Sequence, residues 1–186
     1  LYLTYDNALV CYVLKALAKL LDRPELMDEA DKTRQAIYEH CVKEQNHKRF
    51  FAWSVDLNGH YDIYDEPPGS LLLLPFYGFC EAEDPIWQNT AAMIRDESYA
   101  LSFAGHPIAE IGCKHAPHPW ILSICNSLLS GHAESALLHL GRTPLDNGVA
   151  CESVNEDTGL CETGEAFATC AGFLSYALYT VCSPVD

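Results

Sequence analysis

Five carboxylates crowd one short stretch, "ACESVNEDTGLCETGEAF": Glu152, Glu156, Asp157, Glu162 and Glu165. Hydrolysis of a glycosidic bond needs two carboxyl groups flanking the scissile bond, and in the inverting form one of them takes a proton from the attacking water. Such a base must be held on a rigid edge. Glu152 suits that part better than its neighbours, because it stands between the small residues Cys151 and Ser153, with Val154 next. Glu156 and Asp157 read as turn acids in solvent. Glu162 and Glu165 bracket Thr163 and Gly164 at what reads as the start of an apolar helix, where the positive end of the helix dipole favours acids. Loop acids are usually solvated, so residue type and spacing also leave Glu152 a plain surface role.

Two further stretches carry groups able to meet a ligand. In "IYDEPPGSLLLLPFYG", Asp65 and Glu66 precede two prolines and an apolar run. They read either as helix-start acids or as hydrogen-bond partners for sugar hydroxyls at a loop edge. In "AEIGCKHAPHPWILSICNSL", Cys113, His115 and His118 are zinc-type donors without a convincing fourth ligand. A pocket mouth fits better, with the histidines hydrogen bonding to a sugar and Trp120 stacking on it; structural histidines in a tight proline loop are the bland alternative. There is no G-x-S-x-G elbow and no P-loop or G-x-G-x-x-G. Neither a metal nor a cofactor is expected.

The elements that must hold these residues alternate in character. "DNALVCYVLKALAKLLD" is apolar on nearly every side and predicts a helix buried all round. "RPELMDEADKTRQAIYEHCVKE" has one stripe, Leu26, Ala30, Ile37 and Cys41, and predicts a one-sided outer helix. The alternation recurs: "GSLLLLPFYGF" then "DPIWQNTAAMIRDE", "PWILSICNSLLSG" then "HAESALLHLGR", and a final apolar "GEAFATCAGFLSYALYTV" stopped at Ser183 and Pro184. Four inner and three outer helices are thus expected, with a short hairpin around Asn58-Gly59. Such αα-hairpins arranged about an axis make an all-α, (α/α) toroid, whose inner-helix loops shape one mouth. A plain helical bundle leaves the long loops unexplained.

The chain has 186 residues, which predicts one domain over 1–186. Its net charge of −15 disfavours nucleic acid and anionic membranes as partners. No run approaches a membrane span. The nine cysteines are odd in number and without a C-x-x-C pair, which reads as buried thiols in a reducing, cytoplasmic setting. The sequence starts at Leu1, without Met and inside an apolar stretch, and reads as part of something longer.

Three segments in fixed order resemble glycoside hydrolase family 125, the exo-acting α-mannosidases that need no metal. "YDEPPGSLLLLPFYGF" is similar to the family's Asp-rich turn and Leu-Pro-Tyr step. "IGCKHAPHPWILSICNSLL" is similar to its Gly-x-x-His-Thr-Pro loop, and "DNGVACESVNEDTGLCETGEAFATCAGFLSYAL" to its His-Glu-Ser-Phe-Asn loop and the helix after it. The resemblance implies an (α/α)6 toroid, of which this chain is a C-terminal portion, and inverting hydrolysis of a terminal α-linked mannose, α-1,6 first. It implies Glu152 as general base and Asp65, Glu66 and His115 as pocket residues; His118 and Trp120 would line the same subsite. Cys151 stands where the family has His, and the helix after the base loop is less aromatic, so another hexose is the alternative sugar. The family's general acid lies in a loop upstream of the segment matching "LYLTYDNALVCYVLK", with Asp6 several residues past it. This chain alone is therefore expected to lack the acid and to be inactive. The rival reading is a non-catalytic sugar-binding or oligomeric scaffold that self-associates through exposed inner helices.

Overall fold

The computed structural model describes residues 1–183, so Pro184 of the expected final stop lies outside the described residues. The chain divides into two compact units: Leu1–Asp65 with Gly69–Ala92, and Glu66–Pro68 with Met93–Asp186.

The first unit opens with β1 (Tyr2–Leu3) and α1 (Thr4–Leu20), then α2 (Glu25–His40), which packs on α1 after a short link. The Thr4 hydroxyl donates to the Ala52 carbonyl at 2.6 Å and ties the start of α1 to the strands. α1 departs from expectation: Thr4, Ala8, Cys11 and Ala18 are buried, whereas Val10, Tyr12, Val13 and Leu20 are exposed. Its sequence is apolar all round, but only one face meets the rest of this unit.

α2 ends at His40, not at Glu44. β2 (Val42–Gln45) follows and pairs antiparallel with β3 (Lys48–Phe51), Gln45 opposite Lys48. Asn46 and His47 both have positive φ, 52° and 62°, which gives the tight turn whose twist suits a hairpin. The expected helix ran on through "CVKE"; the β-branched Val42 and the Asn46-His47 turn end it at His40. The expected hairpin around Asn58-Gly59 is present, with β4 (Ser54–Val55) pairing β5 (Tyr61–Asp62), and β1 adds to the outer side of β4.

"GSLLLLPFYGF" is a second departure. It forms a 3-10 turn over Leu71–Leu73 and further turns, not an α-helix. Pro75 has no N–H to donate and its ring clashes with the carbonyl four residues back; Gly78 then turns at φ 63°. All four leucines are nevertheless buried. α3 (Pro85–Ile94), whose residues up to Ala92 belong to this unit, carries the Thr90 hydroxyl that accepts from the Phe51 amide at 2.9 Å. Six α-helices therefore stand among the described residues where seven were expected.

The second unit is built on α4 (Ile121–Leu129), with α5 (Ala133–Leu140) and α6 (Ala168–Cys182) packed against it. Every residue of α4 from Ile121 to Leu128 is buried, as its uninterrupted apolar run requires. Ile108, Trp120, Ile124, Val154, Cys170 and Leu174 belong to the core around it. Removing one such side chain, Ile124→Ala for example, costs about 2–5 kcal/mol. α6 buries Cys170, Leu174 and Ala177 and exposes Tyr176 and Tyr179. It starts at Ala168, directly after "TGEAF" and not within it: Cys161–Thr163 form β7, paired antiparallel with β6 (Ser153–Val154). Glu162 thus lies in a strand and not at a helix start.

Candidate active site

Glu152 lies one residue before β6, in a run whose other members, Cys151, Ser153 and Val154, are fully buried. Its backbone is tied on three sides. Its N–H donates to the Thr163 and Gly164 carbonyls, both at 3.1 Å, and its carbonyl accepts from the Ile121 amide at 3.0 Å. Just beyond it, the Val154 amide donates to the Pro119 carbonyl at 2.8 Å. The α4 N-terminus, the Pro119 loop and β7 therefore fix the position of this carboxylate.

The side chain is 18% exposed. One oxygen, Oε2, accepts from the Thr163 hydroxyl at 2.8 Å, and that hydroxyl lies 2.6 Å from Ser153 Oγ. The other oxygen, Oε1, faces His115 Nε2 across 3.9 Å. The strand passes so close that a Cβ on Gly164 would lie 2.5 Å from the Glu152 Cβ, and Gly164 has φ 62°. Only glycine meets both demands.

His115 is presented by a tight turn in which Cys113 and Ala116 exchange backbone hydrogen bonds. Its ring meets the Trp120 ring edge-on, centroids 5.1 Å apart. Its Nδ1 lies 3.1 Å from Cys113 Sγ, and the Cys113 thiol donates to Glu66 Oε2 at 3.0 Å. Glu66, Cys113, His115 and Glu152 thus form one continuous polar line within the second unit. The Pro67 carbonyl, next to Glu66, is held by the Asn126 amide of α4 at 3.0 Å.

The other sequence-derived candidates lie differently. Trp120 is 2% exposed, with its indole N–H on the Ala116 carbonyl at 3.0 Å. It offers no face for a ligand to stack on; its bulk is in the core and its role is to seat His115. His118 Nδ1 lies 2.9 Å from Glu156 Oε2, so Glu156 is paired and not a solvent turn acid. Partial burial alone would raise the Glu156 carboxyl, but the hydrogen bond from His118 and its own backbone amide outweigh that and hold it below the usual range. Asp157 is exposed, beside His106 at 3.0 Å. Asp65 belongs to the first unit, is 1% exposed, and accepts from the Ser70 hydroxyl at 2.7 Å and the Leu71 amide at 2.8 Å. That is the work of a turn cap.

Among the described residues no group of three or more His, Cys, Asp or Glu is arranged to hold a metal ion. Burial, then the hydrogen bond to Cys161, pushes the Cys151 thiol up to about 12, and burial pushes Cys170 to about 12 as well. Both stay thiols at neutral pH, which disqualifies them as nucleophiles. No helix among the described residues is long and apolar enough to cross a membrane.

Thr163, Gly164 and the Cys113 thiol as a hydrogen-bond partner are the parts that sequence reading missed. The one available signal was the small Thr-Gly pair, embedded among acids, eleven and twelve residues after Glu152.

Solved structures with this architecture define the class. A Streptococcus pneumoniae metal-independent α-mannosidase, in a non-productive complex with α-1,6-mannobiose, matches with a TM-score of 0.78 at 21% identity, over 98% of this chain and 47% of that one. A bacterial glucoamylase complexed with acarbose matches with a TM-score of 0.70 at 16% identity, over 97% of this chain and 33% of that one. The fold is that of the (α/α)6 glycosidases. The model of the metal-independent α-mannosidase family, GH125, matches residues 1–176, and the chain belongs to that family. The meiotically up-regulated gene 157 protein of Schizosaccharomyces pombe is 30% identical over 118 residues, 60% of this chain. The chain spans 23% of the length of that relative and under half of the streptococcal chain.

Proposed function

We propose that this chain is the base-bearing part of an inverting exo-α-mannosidase acting on terminal α-linked mannose, with α-1,6 linkages as the first candidate. Glu152 takes a proton from the attacking water while a carboxylic acid outside these 186 residues protonates the leaving oxygen. Glu66 and His115 border the sugar. Trp120, His118 and Asp65 act at one remove, by seating His115, the Glu156 segment and the turn that leads to the Leu71–Leu73 run. The observation that carries the reading is the Glu152 carboxylate: one oxygen is held by Thr163, the backbone is pinned on three sides, and the second oxygen faces a gap. Family membership and the mannobiose bound by the streptococcal relative support the sugar. The buried thiols Cys125, Cys151 and Cys170 support a reducing, cytoplasmic setting.

The test is Glu152→Gln in the full-length enzyme. Mannose release from α-1,6-mannobiose falls by several orders of magnitude while sugar still binds; unchanged turnover overturns the assignment. The 186 residues alone release no mannose, and measurable release by them refutes an acid supplied from elsewhere.

The exposed apolar residues of α1, Val10, Tyr12, Val13 and Leu20, favour a second reading, a sugar-binding scaffold that self-associates. Light scattering decides it: a monodisperse monomer of the chain removes that reading.

A further inference from the structure

His115 is expected, from its place in the loop, to hydrogen-bond a sugar hydroxyl. Its surroundings point to a different partner. Glu66, as a carboxylate, only accepts, so the Cys113 S–H points at Glu66 Oε2 across 3.0 Å. What remains to the sulfur is acceptance. His115 Nδ1, 3.1 Å away, must then carry the proton and donate it to Sγ. In the neutral ring, Nε2 is consequently a bare lone pair.

On the opposite side of the gap, Glu152 Oε2 is occupied by the Thr163 hydroxyl, which leaves Oε1. Two acceptors, Nε2 and Oε1, therefore face each other at 3.9 Å. They repel unless a donor sits between them, and the donor must have two protons. A sugar hydroxyl has one O–H and satisfies one side only. A water has two, and two hydrogen bonds of about 2.8 Å spanning 3.9 Å meet at about 90°, near the valence angle of water.

We propose that Cys113 is a positioning residue that fixes the His115 tautomer, so that His115 Nε2 and Glu152 Oε1 together accept both protons of the attacking water. This rests on the reading of Glu152 as the base. With both O–H bonds engaged, the oxygen lone pair is aimed away from the protein, toward the anomeric carbon. As the new C–O bond forms, the water proton on Oε1 passes to Glu152. The bond from the anomeric carbon to the leaving oxygen breaks, and its electron pair goes to that oxygen, which is protonated by the enzyme's carboxylic acid. The proton on the His115 side stays on the product hydroxyl.

The tautomer can be read without turnover. The full-length enzyme is labelled with 15N in its histidine rings, and the His115 signals are identified by their loss in His115→Gln. At about pH 8.5, where an ordinary imidazole is neutral, His115 Nδ1 gives the protonated, pyrrole-type shift and Nε2 the pyridine-type shift. Cys113→Ala moves the population toward Nε2–H, and Cys113→Ser, which keeps a donor and an acceptor at that point, restores it. An unsubstituted enzyme with His115 already in the Nε2–H form overturns the proposal, even if the alanine variant fails to fold. In turnover, Cys113→Ala lowers kcat by roughly tenfold or more and, although Glu66 loses the hydrogen bond from the thiol, changes KM by less than kcat; a rise in KM alone overturns it. A Glu152→Gln enzyme that keeps full activity while His115 shows the Nδ1–H tautomer sinks the base assignment and not the tautomer.

Discussion

Glu110 and Glu152, both in the second unit, each face a histidine, and they do so in opposite ways. Glu110 is 1% exposed and sits 2.8 Å from His139 Nδ1 through Oε1, while Oε2 accepts from the Ser123 and Ser127 hydroxyls at 2.7 and 2.8 Å. Arg95 Nη2 reaches the same Ser127 hydroxyl at 2.9 Å. Every oxygen is satisfied and nothing can enter. Glu152 has one oxygen satisfied and the other 3.9 Å from its histidine, whose side chain is 64% exposed. The closed pair is a fastener: through Ser123, which also accepts from the Ile111 amide at 2.9 Å, it ties the loop that leads to Cys113 and His115 onto α4. In the mechanism proposed above, the open pair is a receptacle for the attacking water. The same residue types thus separate into a closed pair and an open one by about one ångström of spacing and by the supply of neighbouring donors.

The largest effect that can break this comparison is on rate. Glu152→Gln should lower kcat of the full-length enzyme by about 10²–10⁴-fold and leave the unfolding midpoint within about 2 °C. A large loss of stability would make Glu152 a second fastener. Glu110→Ala should do the reverse in kind: urea unfolding should show a loss of about 3–5 kcal/mol, because it strands His139 and two serines in a buried site. Stability within 1 kcal/mol of the parent would dissolve the distinction from that side. Gly164→Ala should cost at least about 1–3 kcal/mol from the left-handed backbone alone, and it should also lower kcat, since the added Cβ pushes on the Glu152 Cβ. Loss of stability without loss of rate would separate the pinned backbone from the chemistry.

The smallest effect sharpens the closed side. Burial, then the Arg95 charge, holds the His132 imidazole below its usual range. Its folded value lies under the unfolded value near 6.5, so the unfolded chain binds the proton first as pH falls. Stability is therefore full above about pH 7 and declines as pH drops through 6.5 toward the folded value. Denaturant unfolding at pH 8 and at pH 5.5 should show this decline, and His132→Asn should reduce it.

Residue pattern made α4 and the Asn58-Gly59 hairpin legible, because uninterrupted apolarity and a turn dipeptide are local signals. It misread "CVKE" and "GSLLLLPFYGF" for local reasons too: the helical stripe ending at Cys41 outweighed Val42 and the turn that follows, and four leucines outweighed Pro75. Glu152 stood out by its small neighbours. Trp120 did not show itself as core, since a tryptophan beside prolines and histidines resembles a pocket lining until its indole N–H is seen on Ala116. The Thr163 and Cys113 contacts were illegible, because they join residues that only the fold brings together: eleven positions apart for Thr163, and forty-seven between Cys113 and Glu66.

The close pass of Gly164 over Glu152 has an evolutionary consequence. The obstructing atom is a Cβ, which every amino acid but glycine possesses. The need for glycine at 164 therefore does not depend on the acid at 152. Were a descendant to lose the carboxylate, the glycine would remain, held in place by backbone alone. A related chain with that glycine and no acid twelve residues before it would keep the same backbone crossing, so the glycine reports the fold of this segment and the acid alone reports the chemistry.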